Sequence, residues 1–268
     1  MTHVIGKHAE MKTLLINTLF ILLINTLPQS ALAIVNLDNL HLSSTNTGTS
    51  GKLKLNLSGD EGNNQNFRVK GAGILNYRTV NALSFLHAEH TYGESFGEEN
   101  KNKSFVHARY IRDVSRTKAW EIFAQIEQNK FARLNYRGLI GSGLRFDLSD
   151  NNKSQRLFLG TGAFYSQEEI SNASTFNEEK RQNFLRANVY LIYQKNLSEN
   201  VSFYSTTYFQ PAIDDPEDFR ALEVAGLKTK LLKNLNLVIA LEGAFDNHPP
   251  EEVDRKDIAY STGIEYSF

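Results

Sequence analysis

The stretch Trp120–Asp147, WEIFAQIEQNKFARLNYRGLIGSGLRFD, leaves a chain of this kind few folds to choose from. It alternates every second residue across a tight connection, the spacing at which strand side chains return to one side of a sheet. In its first half Trp120, Ile122, Ala124 and Ile126 fall on one face, with Glu121, Phe123, Gln125 and Glu127 on the other. In its second half Leu134, Tyr136, Ile140, Leu144 and Phe146 share a face, opposite Arg133, Asn135, Arg137, Gly141, Gly143, Arg145 and Asp147. This is a hairpin with one apolar and one charged face, and Glu121 and Glu127 are expected near Arg133 and Arg137 across the pair. A soluble sandwich would bury the apolar face. A membrane barrel turns it outward to lipid and encloses the polar one.

The remaining chain favours the barrel. In Gly51-KLKLNLSG, Leu53, Leu55 and Leu57 alternate with Lys52, Lys54 and Asn56. Strand-like runs follow near 66–76, 81–90, 103–112, 119–127, 132–147, 155–166, 182–194, 200–210, 220–231, 236–246 and 257–268. That makes about twelve strands with no convincing helix pattern and no linker, so residues 51–268 read as one all-β antiparallel up-and-down barrel. Alternate connectors differ. Those at Arg78-Thr-Val, Asp113–Thr117, Ser149–Lys153, Asn196–Asn200 and Lys233-Asn-Leu are short and polar. Those around 91–103, 166–180, 211–219 and 246–257 are longer and acidic, although the connectors near 60–65 and 128–131 are short. Short turns on one rim and longer loops on the other are the sidedness of an outer-membrane barrel. In the run 220–231, Leu222 and Val224 change face relative to Leu227 and Leu231, and a β-bulge near Gly226 is expected to reconcile them.

The N-terminus sets the compartment. A lysine at position 12, an apolar run Leu14–Leu27, Pro28 and Ala31-Leu-Ala33 describe a secretory signal peptide spanning residues 1–33, for which Met11 serves equally well as a start. The mature chain is expected to begin near Ile34, with residues 34–50 as a polar lead-in. The chain has no cysteine, so neither a disulfide framework nor an N-terminal lipid-bearing cysteine is available, and a net charge of −1 gives no sign of nucleic-acid binding.

At the other end Ile258, Tyr260, Thr262, Ile264, Tyr266 and Phe268 share one face, opposite Ala259, Ser261, Gly263, Glu265 and Ser267. This last strand resembles the signal read by the bacterial barrel-assembly machinery, with Tyr266 and Phe268 carrying it. Leu235, Leu237, Ile239 and Leu241 repeat the pattern one strand earlier, and Tyr77, Tyr110, Trp120, Tyr165, Tyr193 and Phe245 would suit interfacial girdles. The run Gln125-x-Glu127…Phe131-x-x-Leu134…Arg137-x-Leu139-x-Gly141-x-Gly143-x-Arg145 resembles the salt-induced outer-membrane protein family. Gly51-KLKLNLSGDEGN, Leu159-GTGAFYSQEE and Tyr208-FQP with Asp218-x-Arg220 fit it as well. The resemblance implies a Gram-negative outer-membrane barrel linked to salt or osmotic response, and it implies no particular chemistry.

Candidate chemistry lies in the inward charges. Arg133, Arg137, Arg145, Glu121, Glu127, Arg109 and Arg186 are the lumen-lining candidates, with Arg68, Lys70, Arg156, Glu242 and Glu265 expected to join them. They describe either a basic pore that favours anions or a salt-bridged lumen that braces the wall. Gly138, Gly141, Gly143, Gly160 and Gly162 match no phosphate loop and read as relief of crowding between paired strands. Asp214, Asp215, Glu217 and Asp218 offer hard oxygen ligands for a divalent cation bridging to lipopolysaccharide, without an EF-hand spacing. No hydrolytic triad spacing is evident, so a hydrolase is the least favoured class and no cofactor is implied. The expectation is a structural barrel or a narrow passive channel for ions and small solutes, with lipid and lipopolysaccharide as surroundings. A plugged envelope-integrity barrel is the alternative.

Overall fold

A computed structural model of the chain describes residues 47–62, 65–149, 154–171, 179–250 and 252–268. The expected signal peptide and most of the lead-in lie outside the described residues. Among the described residues twelve strands form one closed antiparallel barrel in which each pairs with its neighbours in sequence and β12 returns to β1. They are β1 (Gly48–Asp60), β2 (Asn66–Arg78), β3 (Ala82–Ser95), β4 (Glu98–Asp113), β5 (Lys118–Asn129), β6 (Leu134–Asp147), β7 (Gln155–Ser171), β8 (Glu179–Asn196), β9 (Val201–Pro211), β10 (Phe219–Leu232), β11 (Leu235–Asp246) and β12 (Lys256–Ser267). Followed round the barrel, the register returns to β1 about 16 residues further along, so the strands are strongly tilted.

Burial is inverted relative to a soluble sandwich. On β1 Leu57 is 61% exposed while Lys52 is 3% exposed, and β5 alternates exposed Trp120, Ile122 and Ile126 with buried Glu121, Gln125 and Glu127. Apolar side chains outside and charged ones inside are stable only where lipid surrounds the wall. Aromatic rings cluster near both strand ends. Tyr110 packs on Trp120 and Tyr193 on Phe203 towards the rim of short turns, and Phe219 lies between Phe209 and Phe245 towards the other.

Two of the expected acidic loops are corrected. The acidic stretch 91–103 is not a loop: β3 and β4 continue through it to a tight turn at Phe96-Gly97, both with positive φ (52° and 78°). That geometry matches the twist of a hairpin, and Gly supplies half of it at no steric cost. Likewise β7 runs to Ser171 and β8 begins at Glu179, so much of 166–180 is strand. Longer connections remain at 212–218 and 247–255, on the rim opposite the turns at 79–81, 114–117, 197–200 and 233–234.

The β-bulge near Gly226 is also absent. β10 keeps an unbroken register with β9 and β11 through Gly226, and the only shift with β11 falls between Lys230 and Leu232. Leu222 and Val224 instead point inward, among Tyr190, Tyr204 and Tyr208. The alternation looked inconsistent because part of the lumen is itself apolar.

Candidate functional site

Among the described residues, side chains fill the lumen on one side and leave it open on the other. On the filled side the Tyr190 hydroxyl (β8) lies 2.9 Å from both carboxylate oxygens of Glu121 (β5), which also accepts from Arg109 (β4) at 3.3 Å. The Arg109 guanidinium lies 5.6 Å from the Tyr190 ring centroid. These strands stand three and four places apart in the ring, so the contacts are chords across the interior. Gly160 makes this possible, because a Cβ there would come within 2.0 Å of the Tyr190 ring. Gly143 and Gly162 similarly let β6 and β7 approach where any side chain would meet a backbone carbonyl.

Nearer the rim of longer loops, Glu168 (β7) accepts from Arg137 (β6) at 2.9 and 3.1 Å and from Arg220 (β10) at 2.7 and 3.1 Å. Arg137 also reaches Glu127 at 3.4 Å and Arg220 reaches Asp246 at 2.9 Å, so positive and negative groups alternate with little charge left over. Arg186 grips both carboxylate oxygens of Asp218 at 2.8 and 2.9 Å, and Phe184 lies beneath the guanidiniums of Arg186 and Arg220.

Along β11, β12, β1, β2 and β3 the inward positions include Ala72, Ala240, Ala259, Ser261 and Gly263, too small to meet at the axis. They leave an outward-opening vestibule of about 700 Å³ and, below it, a pocket of about 30 Å³ that ends against Tyr204 and Val238. Lys70 forms part of its wall, held by Glu242 at 2.8 Å and Glu89 at 3.0 Å. Beneath lies Glu265, 0% exposed, on which Lys228, Lys54 and Lys52 converge at 2.8, 3.6 and 3.9 Å. Near the Phe96-Gly97 turn, Lys130 and Asn102 both donate hydrogen bonds to the Glu99 carboxylate.

The sequence candidates fall mainly on the filled side. Glu121, Glu127, Arg109, Arg137, Arg145 and Arg186 are all inward and buried, and Arg145 lies over Phe158 at 5.3 Å. Arg133 is not in the lumen. A turn of 3-10 helix at Lys130–Ala132 precedes it, its φ is 55°, and its guanidinium pairs with Glu252 at the rim. The strand alternation was extended one turn too far there. Consequently Glu127 meets Arg137 but Arg133 lies elsewhere, and Glu121 turns to Arg109 and Tyr190. Among the described residues no group of three or more His, Asp or Glu side chains is arranged to hold a metal ion. Asp218 is engaged by Arg186, and Asp215 accepts the Glu217 backbone N–H. Tyr266 and Phe268 stack outside the wall, and Phe268 exchanges backbone hydrogen bonds with Gly51 at 2.9 and 3.0 Å.

Sequence reasoning missed Lys52, Lys54 and Lys228 as a cluster, since convergence from β1 and β10 onto Glu265 of β12 leaves no local pattern. It missed Lys101 and Lys103 because their stretch read as a loop.

A family model described as "Protein of unknown function, DUF481" matches residues 53–268, the entire barrel beyond the first residues of β1. The chain belongs to that family. No curated protein matches it. Among solved structures, the NanC porin aligns at 12% identity and TM-score 0.49, over 81% of this chain and 98% of that one. The translocator domain of the autotransporter NalP from Neisseria meningitidis aligns at 10% identity and TM-score 0.48, over 84% and 90%. The KdgM porin in complex with disordered oligogalacturonate aligns at 13% identity and TM-score 0.45, over 82% and 99%.

Proposed function

We propose that this chain is a Gram-negative outer-membrane barrel working as a narrow passive channel. Small ions and solutes enter the vestibule and move along β11, β12, β1, β2 and β3, past Lys70, Glu89 and Glu242, to a constriction at Glu265. The observation that carries this reading is the one-sided lumen: a column of small inward residues ends on a single carboxylate held by three lysines. Charged rings at a narrow point set ion preference and rate. The charges on the filled side brace the wall and take no part in permeation. No catalytic step is assigned to any residue.

The test is conductance of the refolded mature protein in a planar bilayer, with a heat-shift gel confirming the barrel. The expected result is small discrete steps whose ion preference changes when Lys54 and Lys70 are replaced by Gln. Neutralising Arg145, on the filled side, should leave it unchanged. Silence from the folded protein and from a Glu265→Ala variant alike would refute a channel. It would favour the second reading, a closed envelope-integrity barrel, for which the Arg109–Tyr190–Glu121 chord is the supporting observation. The link to salt implied by the sequence resemblance is testable in the same way. Screening weakens exposed rim pairs such as Lys130–Glu99 far more than the enclosed lumenal ones, so a salt response of conductance would arise at the loops.

A further inference from the structure

The closure between β1 and β12 is incomplete. Their register covers only four pairs, from Lys52↔Ser267 to Leu55↔Ile264, with Gly51 and Phe268 hydrogen-bonded below. Both strands continue towards the outer rim, β1 to Asp60 paired with β2 and β12 from Lys256 paired with β11, but not with each other. Where the pairing stops, the Asn56 amide lies over Gly263, and a Cβ there would come within 2.2 Å of its oxygen. The vestibule extends into this gap, because its lining includes inward Asp257 and Ser261 together with lipid-facing Leu57, Tyr260 and Thr262. It therefore opens sideways through the wall as well as upward. Strand edges bare to hydrocarbon are costly, so whatever fills the seam must offer polar groups to backbone and apolar surface to lipid.

The lumenal end of the gap is charged with both signs. Lys101 and Lys103 on β4, each 8% exposed, line the vestibule without a direct salt bridge among the described residues, and they face Asp257 across it. Asp257 on β12, 5% exposed, keeps a buried carboxylate oxygen without a partner. Cations on one wall and an acid on the other complement a head that carries an anion and an ammonium together. We infer that the seam is a lateral portal holding a zwitterionic amphiphile of the phosphoethanolamine class, phosphate towards Lys101 and Lys103, ammonium towards Asp257, acyl chain emerging past Leu57 and Tyr260 into the outer leaflet. The site shares the vestibule with the proposed channel but does not depend on permeation.

The test uses the full mature barrel in a nonionic maltoside micelle, with lysophosphatidylethanolamine as probe and native mass spectrometry as readout. One lipid should bind per barrel, and Lys101→Gln with Lys103→Gln should weaken it about tenfold. Asp257→Asn should abolish the preference over lysophosphatidic acid. The chain has no cysteine of its own, so Leu57→Cys and Thr262→Cys can be bridged by a short bismaleimide. Bridging should remove lipid binding, a readout that does not require the barrel to conduct, which separates this inference from the channel reading. Lipid bound equally by bridged and unbridged barrels, or with no regard to headgroup, or not at all, would overturn the proposal.

Discussion

Replacing Glu168 tests whether the filled side of the lumen is a brace. Its carboxylate sits between Arg137 and Arg220 with four hydrogen bonds of 2.7–3.1 Å, and the residue is 0% exposed. Removing one member of a buried ionic cluster costs roughly 3–5 kcal/mol, because its partners are left desolvated. Here Arg137 retains Glu127 and Arg220 retains Asp246, so Glu168→Ala is expected near the lower end, about 3 kcal/mol. With a urea slope of about 1–3 kcal/mol/M, the unfolding midpoint should fall by about 1–3 M. Replacing Arg137, Glu168 and Arg220 together by Met should recover much of the loss, since a matched apolar substitution removes the charges along with their desolvation cost. The assay is urea unfolding in lipid vesicles followed by the heat-shift gel, with conductance measured alongside. A loss below about 0.5 kcal/mol would place Glu168 among ordinary surface substitutions and refute the brace. So would a midpoint drop accompanied by a large new conductance, because the permeation path would then run through this side.

Glu265→Gln should raise single-channel conductance and shift preference towards anions, since Lys52, Lys54 and Lys228 lose their shared counter-ion; an unchanged current would move the constriction elsewhere. Gly160→Val should destabilise by about 1–3 kcal/mol through overpacking, read as a lower urea midpoint and a weakened Tyr190–Glu121 contact in tyrosine fluorescence. Gly51→Val should slow refolding, because a Cβ there would meet the Phe268 ring at 2.4 Å and obstruct the one stretch where β1 and β12 pair; a wild-type folding rate on the gel would contradict this.

Much of the fold is legible in the chain alone because a barrel strand writes its two environments into alternate residues. Leu53, Leu55 and Leu57 against Lys52, Lys54 and Asn56, or Trp120, Ile122 and Ile126 against Glu121, Gln125 and Glu127, require an apolar medium on one side and an enclosed polar one on the other. Strand number, strand order and the inward direction of Glu121, Glu127, Arg109, Arg137, Arg145 and Arg186 follow from that period. The errors fell where the period is interrupted or extended by geometry. A left-handed residue after a short helix turn removed Arg133 from its strand, and a tight Phe96-Gly97 turn converted an acidic loop into paired strands. Which inward groups meet was decided only by tertiary structure. The closed ring brings Tyr190 of β8 to Arg109 and Glu121 on the neighbouring strands β4 and β5, and it draws Lys228 of β10 together with Lys52 and Lys54 of β1 onto Glu265. The one-sided lumen and the short β1–β12 seam have the same origin. Alternation fixes which face a residue occupies, while its height and its opposite number depend on the shear accumulated round the closed ring, which no local stretch encodes.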